Sequence, residues 1–167
     1  VRLERSMASV TTQELEDMYP DMTPKEREDA FLKEHKTALI MQIGGKLKNG
    51  QKHGGRAPDY DDWMLNGDIL LYNKVLDAVL EISSMGIRVD REALQKQLKA
   101  ENAEDRLDFE FHKMLMSGAL PLTIGGGIGQ SRLCMLMLGS AHIGEVQSSI
   151  WDDETVRICE EKGIHLL

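Results

Sequence analysis

The chain has 167 residues, enough for one compact domain and too few for two full-sized ones. Acidic residues outnumber basic ones 28 to 20, a formal charge of −8, which argues against the broad basic surface that grips nucleic acid through its phosphates. Hydrophobic residues make up 41% and charged residues 29%, the balance of a globular domain rather than a disordered chain, and no apolar run is long enough to span a bilayer. The opening Val1-Arg2-Leu3-Glu4-Arg5 lacks the features of a signal peptide. Two cysteines, Cys134 and Cys159, are too few for a metal cluster or a disulfide framework, and a reduced, cytoplasmic setting is expected. The chain starts with valine, and residues 1–10 show no helical or strand period, so a longer polypeptide is expected to contain it.

In chain order, Thr12 is a candidate N-cap for a short helix over 12–19. A second helix is predicted after Thr23, with Pro24 in its first turn, Lys25 to Glu28 on its exposed side and an end near Lys36. The apolar run 37–43 reads as a buried strand ending at Gly44-Gly45, and Asn49-Gly50 marks a tight turn inside a loop over 46–55. A polar, irregular stretch over 56–63 carries Asp59, Asp61 and Asp62. Two antiparallel strands are predicted over 68–72 and 75–82, joined at Asn73-Lys74. Helices follow over 90–99, capped by Asp90, and over 106–117, where Leu107, Phe111, Met114 and Leu115 form one apolar face ended by Gly118. A short strand over 120–124 leads into a glycine run, then come helices over 130–138 and 154–162. Hairpins and helices without regular βαβ units indicate an α+β domain, a mainly antiparallel sheet flanked by helices.

The glycine run Gly125-Gly126-Gly127-Ile128-Gly129 has neither the spacing of a dinucleotide fingerprint nor the lysine of a P-loop. Glycines at alternate strand positions leave one face free of side chains, where a flat ligand can lie on backbone. Arg132 then falls in the first turn of a helix, where the dipole favours an anion that the guanidinium can hold through two hydrogen bonds. The bland reading is a bulged strand and a surface arginine. Asp68 and Glu81, each beside an apolar run, need a cation. Mg²⁺ on nucleotide phosphates would serve, and so would an ion pair with Arg88 or Arg132. Ser83 and Ser84 could bind substrate or satisfy backbone, and the three aspartates could bind an amino group or line a solvated loop. His112, four residues after Asp108, reads as a structural histidine, His53 as part of an exposed turn, and Met114, Met116, Met135 and Met137 as core filling.

Leu65-Asn66-Gly67-Asp68, Glu81-Ile-Ser-Ser-Met-Gly-Ile-Arg88 and Gly125-Gly-Gly-Ile-Gly-Gln-Ser-Arg-Leu133 resemble the C-terminal half of a class II aminoacyl-tRNA synthetase core, the last segment being similar to its motif 3. With Ile43-Gly-Gly-Lys-Leu47 and Arg56-Ala-Pro-Asp-Tyr-Asp-Asp-Trp63, the chain more specifically resembles the ammonia-dependent asparagine synthetases over about residues 11–150. The resemblance implies a partial class II synthetase-like catalytic core, with residues 1–167 as the C-terminal part of one domain. It implies that ATP adenylates the side-chain carboxylate of L-aspartate, that ammonia displaces AMP to give asparagine, and that the enzyme is a homodimer using Mg²⁺. Carried over residue by residue, Arg132 would hold ATP phosphate and stabilise the transition state. Asp68 and Glu81 would face nucleotide and metal, Ser84 and Arg88 would build the nucleotide pocket, and Asp61 and Ser83 would contact aspartate, with Asp61 also a candidate partner for ammonia.

Two departures stand out. These 167 residues do not include the family's N-terminal half, with the dimer-forming motif 1 and the α-phosphate-clamping motif 2 arginine, as expected of part of a longer polypeptide. A short family segment between the Asp-Asp-Trp and Leu-Asn-Gly-Asp elements is missing, Trp63 being followed directly by Met64 and Leu65. Two rival readings are a non-catalytic module that binds nucleotide or a partner chain, and a true aminoacyl-tRNA synthetase. No membrane or nucleic-acid partner is expected.

Overall fold

The structure is a computed structural model that describes residues 6–167. One sheet holds five strands in chain order: β1 (Ala8–Thr11), β2 (Thr37–Met41), β3 (Asp61–Asn73), β4 (Ala78–Arg88) and β5 (Ile124–Ile128). The helices are α1 (Thr12–Met18), α2 (Pro24–His35), α3 (Arg91–Ala100), α4 (Glu110–Ser117), α5 (Gln130–Leu138) and α6 (Asp153–Glu161). Strand β1 pairs in parallel with β2 through the α1–α2 crossover, and every other pairing is antiparallel. The α+β reading and the mainly antiparallel sheet are borne out.

Residues 8–11 form a strand although no period marked them, because their pairing is with β2 rather than within the segment. Residues 1–5, the stretch lacking a signal-peptide pattern, lie outside the described residues. The α1 cap is Thr11, not Thr12: Thr11 Oγ1 accepts from Glu14 N at 3.1 Å, while the Glu14 carboxylate takes the Thr11 N–H at 2.7 Å. Thr12 instead donates its hydroxyl to Gln42 O at 2.7 Å. Thr23 and Glu26 form the same reciprocal box on α2, with Pro24 in its first turn as expected. Arg27, predicted on the exposed side, is buried, and its guanidinium donates to Tyr19 O at 3.0 Å and Pro20 O at 3.2 Å, pinning the α1–α2 turn.

Val10, Leu15, Phe31, Leu32, Ala38, Ile40, Leu70 and Val79 form the main core, where α1 and α2 cover one sheet face. Leu71 and Ile82 pack with Leu136 of α5 on the other face. Beyond the end of β4, Val89 with Leu94 and Leu98 of α3 and Leu115 of α4 make a third cluster. The predicted helix over 106–117 is two pieces, a 3-10 turn over Glu104–Asp108 and then α4, because Phe109 is extended. Its apolar face is therefore split: Leu115 is buried, whereas Phe111 and Met114 are exposed. Met135 is core, but Met137 is exposed. The β3–β4 strands run longer than predicted and are joined over residues 74–77 rather than at Asn73-Lys74. The strand placed over 120–124 lies instead on the glycines of β5. No described helix is long and apolar enough to cross a membrane.

Candidate functional site

A one-residue slip in the β3–β4 ladder shapes the site. Ile69 opposes Ser83, yet Leu70 opposes Glu81, so Ile82 is the extra residue of a bulge and turns into the α5 cluster. Directly opposed residues share a face, and positions two apart along a strand do too. Glu81 thereby comes to the face of Leu70 and Asp68; in unbroken register it would lie on the other. Asp68 opposes Ser84, and Ser84 opposes Gly127, which completes a row across three strands. Ser83 opposes Ile69 and Ile128 and projects from the opposite face. The structure thus brings Ser84, and not Ser83, to the face that carries Asp68.

Glycines shape this face in different ways. A Cβ on Gly86 would meet the Asp61 carboxylate at 2.6 Å, and one on Gly125 would meet Arg88 Nη2 at 2.3 Å, so polar side chains occupy those spaces. A Cβ on Gly127 would meet nothing within 4 Å, so the protein itself leaves that spot open. Of the bare strand face anticipated from the sequence, the Gly127 position is open, whereas the Gly125 position is filled by Arg88.

Asp61 is only 1% exposed and pairs with Arg88, while Arg56 Nε lies 3.5 Å from its other oxygen. Arg56 Nη2 also donates to Asp68 Oδ1. Arg88 reaches Tyr60 Oη at 2.9 Å and stacks 3.8 Å from the Tyr60 ring centroid. The result is an alternating chain of charges, Asp68–Arg56–Asp61–Arg88, in which each buried carboxylate has a guanidinium partner. Neither Arg56 nor Tyr60 was singled out from sequence. The signal for Arg56 was electrostatic: buried Asp61 and Asp68 together require more cation than Arg88 supplies. The alternative of an ion pair between Asp68 and Arg88 or Arg132 is corrected: the partner is Arg56.

The three aspartates do not converge on one amino group. Asp59 accepts from Arg106 at 2.9 Å and meets His112 Nε2 at 3.1 Å. Burial pushes the Asp59 carboxyl up, but its bonds to Arg106 and His112 outweigh that and hold it below its usual 3.8. Asp62 accepts the Met64 N–H at 2.9 Å. That bond braces an irregular stretch of β3: Asp61 opposes Arg88 and Asn66 opposes Gly86, so the extra β3 residues loop outward with Met64 and Leu65 exposed. His112 is buried, and its Nε2 meets Asp59 rather than Asp108. His53 is buried against Glu28 Oε1 at 3.1 Å, which corrects the expectation of an exposed turn histidine.

Gly129 caps α5 without a side-chain hydrogen bond, leaving first-turn N–H groups without the side-chain partner that α1 and α2 possess. Arg132 in that turn donates to Glu81 O at 3.1 Å, but its nearest contact with the Glu81 carboxylate is 3.9 Å. Its side chain is 51% exposed, so the guanidinium stays available to an anion. Two clefts share Glu81 and Arg132. One of 280 Å³ also involves Lys25, Glu28 and Asp68 on the α2 side; the other, of 260 Å³, involves Ser84 and Gly127 on the β5 side. A further cavity of 460 Å³ beside Gln13, Trp63 and Lys96 has Asp62 in its lining but neither Arg132 nor the Asp68–Glu81 pair.

Among the described residues no three His, Cys, Asp or Glu side chains gather as an all-protein metal cage. Mg²⁺, however, commonly takes one or two carboxylates and fills its remaining positions with phosphate oxygens and water. Asp68 and Glu81, hard oxygen donors on one face of one cleft, fit that smaller role.

Comparison with known proteins agrees with this architecture. Asparaginyl-tRNA synthetase from Entamoeba histolytica superposes with a TM-score of 0.55 at 16% identity, over 88% of this chain and 36% of that one. The enzyme from Pyrococcus horikoshii, solved with asparaginyl-adenylate, gives 0.53 at 18% identity over 84% and 33% of the two chains. At such identities the likeness shows the class II synthetase fold. Proteins named aspartate–ammonia ligase are much nearer in sequence. The one from Clostridium tetani is 65% identical over 95% of this chain and 46% of its own length; that from Pediococcus pentosaceus is 63% identical over 95% and 47%. The chain therefore spans about half the length of these relatives. The family model described as aspartate–ammonia ligase matches residues 1–163, and the chain belongs to that family.

Proposed function

We propose that this chain contributes to a site that converts L-aspartate, ammonia and ATP to L-asparagine, AMP and pyrophosphate through a β-aspartyl-adenylate. One observation carries the reading. A loosely held arginine, a helix N-terminus without a side-chain cap and two carboxylates meet where the glycine-faced sheet is open. Helix N-termini and arginine together suit phosphate, and a side-chain-free strand suits a flat base.

In the first step a β-carboxylate oxygen of aspartate attacks the α-phosphorus, forming a P–O bond. The bond from that phosphorus to the bridging oxygen breaks, and pyrophosphate leaves with the electron pair. Arg132 stabilises the charge on the departing phosphates, and Ser84 and Arg88 line the nucleotide side. Asp68 and Glu81 would hold Mg²⁺, which when bound offsets phosphate charge. In the second step the nitrogen lone pair of ammonia attacks the β-carbonyl carbon, the C–O bond to AMP breaks, and the surplus proton passes to solvent. Asp61 is assigned to the amino-acid end through Arg88 and Arg56, which face its two oxygens, and Ser84 rather than Ser83 faces the substrates. The family resemblance further supports a working homodimer.

The test is to incubate the full-length polypeptide that carries these residues with Mg-ATP, aspartate and ammonium. Asparagine and AMP in equal amounts are expected. Nucleotide binding with neither product overturns the enzyme reading in favour of a binding module, and transfer of aspartate or asparagine to tRNA overturns it in favour of a synthetase. Light scattering at twice the protomer mass is the expected result for the dimer.

A further inference from the structure

We propose that Lys25 is a second cation for the pyrophosphate end of the nucleotide, acting across the cleft from Arg132. The assignment rests on the functional reading above and extends it to a residue of α2. Lys25 and Arg132 are the basic residues lining the 280 Å³ cleft, one from each of two helices. Both are held loosely. Lys25 Nζ lies 3.3 Å from Val79 O, 3.3 Å from Asp29 Oδ1 and 3.5 Å from Glu28 Oε2, and Arg132 is 3.9 Å from its carboxylate. Lys48, Lys52 and Arg106 are held more tightly, to Asp17 at 2.8 Å, Glu101 at 2.7 Å and Asp59 at 2.9 Å, while the exposed Lys113, 3.6 Å from Asp108, lines neither cleft. A lysine with several long contacts keeps its donors for an incoming oxygen, because charge-assisted bonds form fully only at about 2.7–2.9 Å.

The other lining groups define what those donors meet. Asp68 and Glu81 on the sheet wall repel a bare anion, whereas a magnesium–polyphosphate complex offers the metal to the carboxylates and oxygens to the cations. The two clefts meet at Glu81 and Arg132. A base lying on the open Gly127 strand, with its phosphates passing Arg132, therefore delivers the far phosphates to Lys25. Glu28 acts as a positioning residue: one oxygen is tied to buried His53 at 3.1 Å, and the other lies beside the Lys25 ammonium. The turn carrying His53 is thus connected to the cleft through α2.

The experiment is aspartate-dependent exchange of labelled pyrophosphate into ATP by the full-length polypeptide, comparing wild type with Lys25→Met, Lys25→Arg and Arg132→Ala. Lys25→Met is expected to raise the KM for pyrophosphate and for Mg-ATP about tenfold, the loss of one charge-assisted contact. KM for aspartate and inhibition by AMP, which lacks the distal phosphates, should stay within about twofold, and Lys25→Arg should restore most of the affinity. If Lys25→Met leaves the pyrophosphate and ATP constants unchanged while Arg132→Ala abolishes exchange, the assignment is wrong and the functional reading stands. Equal loss for AMP and pyrophosphate also overturns it, pointing to a structural role. Absence of exchange in wild type overturns both.

Discussion

The Arg88 guanidinium occupies the space that a side chain on Gly125 would fill, with Nη2 2.3 Å from the place of the absent Cβ. The glycine at 125 is needed for an arginine contact, and Arg88 is in turn the partner of buried Asp61. Gly125→Ala should displace Arg88 and loosen its pair with buried Asp61, lowering turnover and the denaturation midpoint together. Gly127→Ala meets nothing in the protein, so an unchanged melting temperature with weakened nucleotide binding is expected. Gly126 differs from both. Its Cβ would meet Met85 Cβ at 2.9 Å and Ser84 O at 3.0 Å, so Gly126→Ala should destabilise by roughly 1–3 kcal/mol in chemical denaturation. Normal nucleotide affinity in Gly127→Ala would remove the flat-ligand face.

Arg132 is half-exposed and carries little of the packing. Arg132→Ala should therefore unfold at the wild-type denaturant concentration while losing roughly 1.5–3 kcal/mol of phosphate interaction, and more if the contact strengthens in the transition state. Steady-state kinetics of AMP formation measures it. Near-normal turnover would withdraw the role assigned to Arg132.

Arg56 stands between two buried carboxylates. Arg56→Met removes the partner of Asp68 and one partner of Asp61, and breaking a buried pair from one side costs about 3–5 kcal/mol. Denaturation midpoints of Arg56→Met should fall well below those of Arg132→Ala. Asp68→Asn or Glu81→Gln should raise the Mg²⁺ concentration needed for half-maximal activity, and metal titrations matching wild type in both variants would displace the metal from these residues.

Asp59 sets an acid limit. Its carboxyl is raised by burial but lowered further by Arg106 and His112, leaving its folded pKa below the ordinary 3.8. A carboxylate depressed on folding adds stability above its unfolded pKa and loses it as pH falls through the folded one. Glu14 and Glu26 are lowered by their Thr11 and Thr23 cap bonds, so they share that sign. Stability should therefore decline as pH falls below about 4, and Asp59→Asn should flatten the curve there. A thermal-melt series across that range measures it; identical slopes for wild type and variant would contradict the Asp59 contribution.

Helix α2 was legible from sequence because Thr23, Pro24 and Glu26 form its start through bonds three residues apart, and such local chemistry does not depend on the rest of the chain. The same holds for Asp90 capping α3 and Gly118 ending α4. The glycine run and Arg132 were visible as a phosphate-suited strand and helix start, and the family motifs carried the chemistry that spacing alone could not. The single residue Ile82, bulged between two registers, decided which face Glu81 occupies. Long-range partners decided the rest: Arg56 for Asp61 and Asp68, Glu28 for His53, and Asp59 for His112. Each of these polar groups is buried only because a charge or hydrogen-bond partner meets it across the fold, and a one-dimensional pattern of apolar residues holds no record of those meetings.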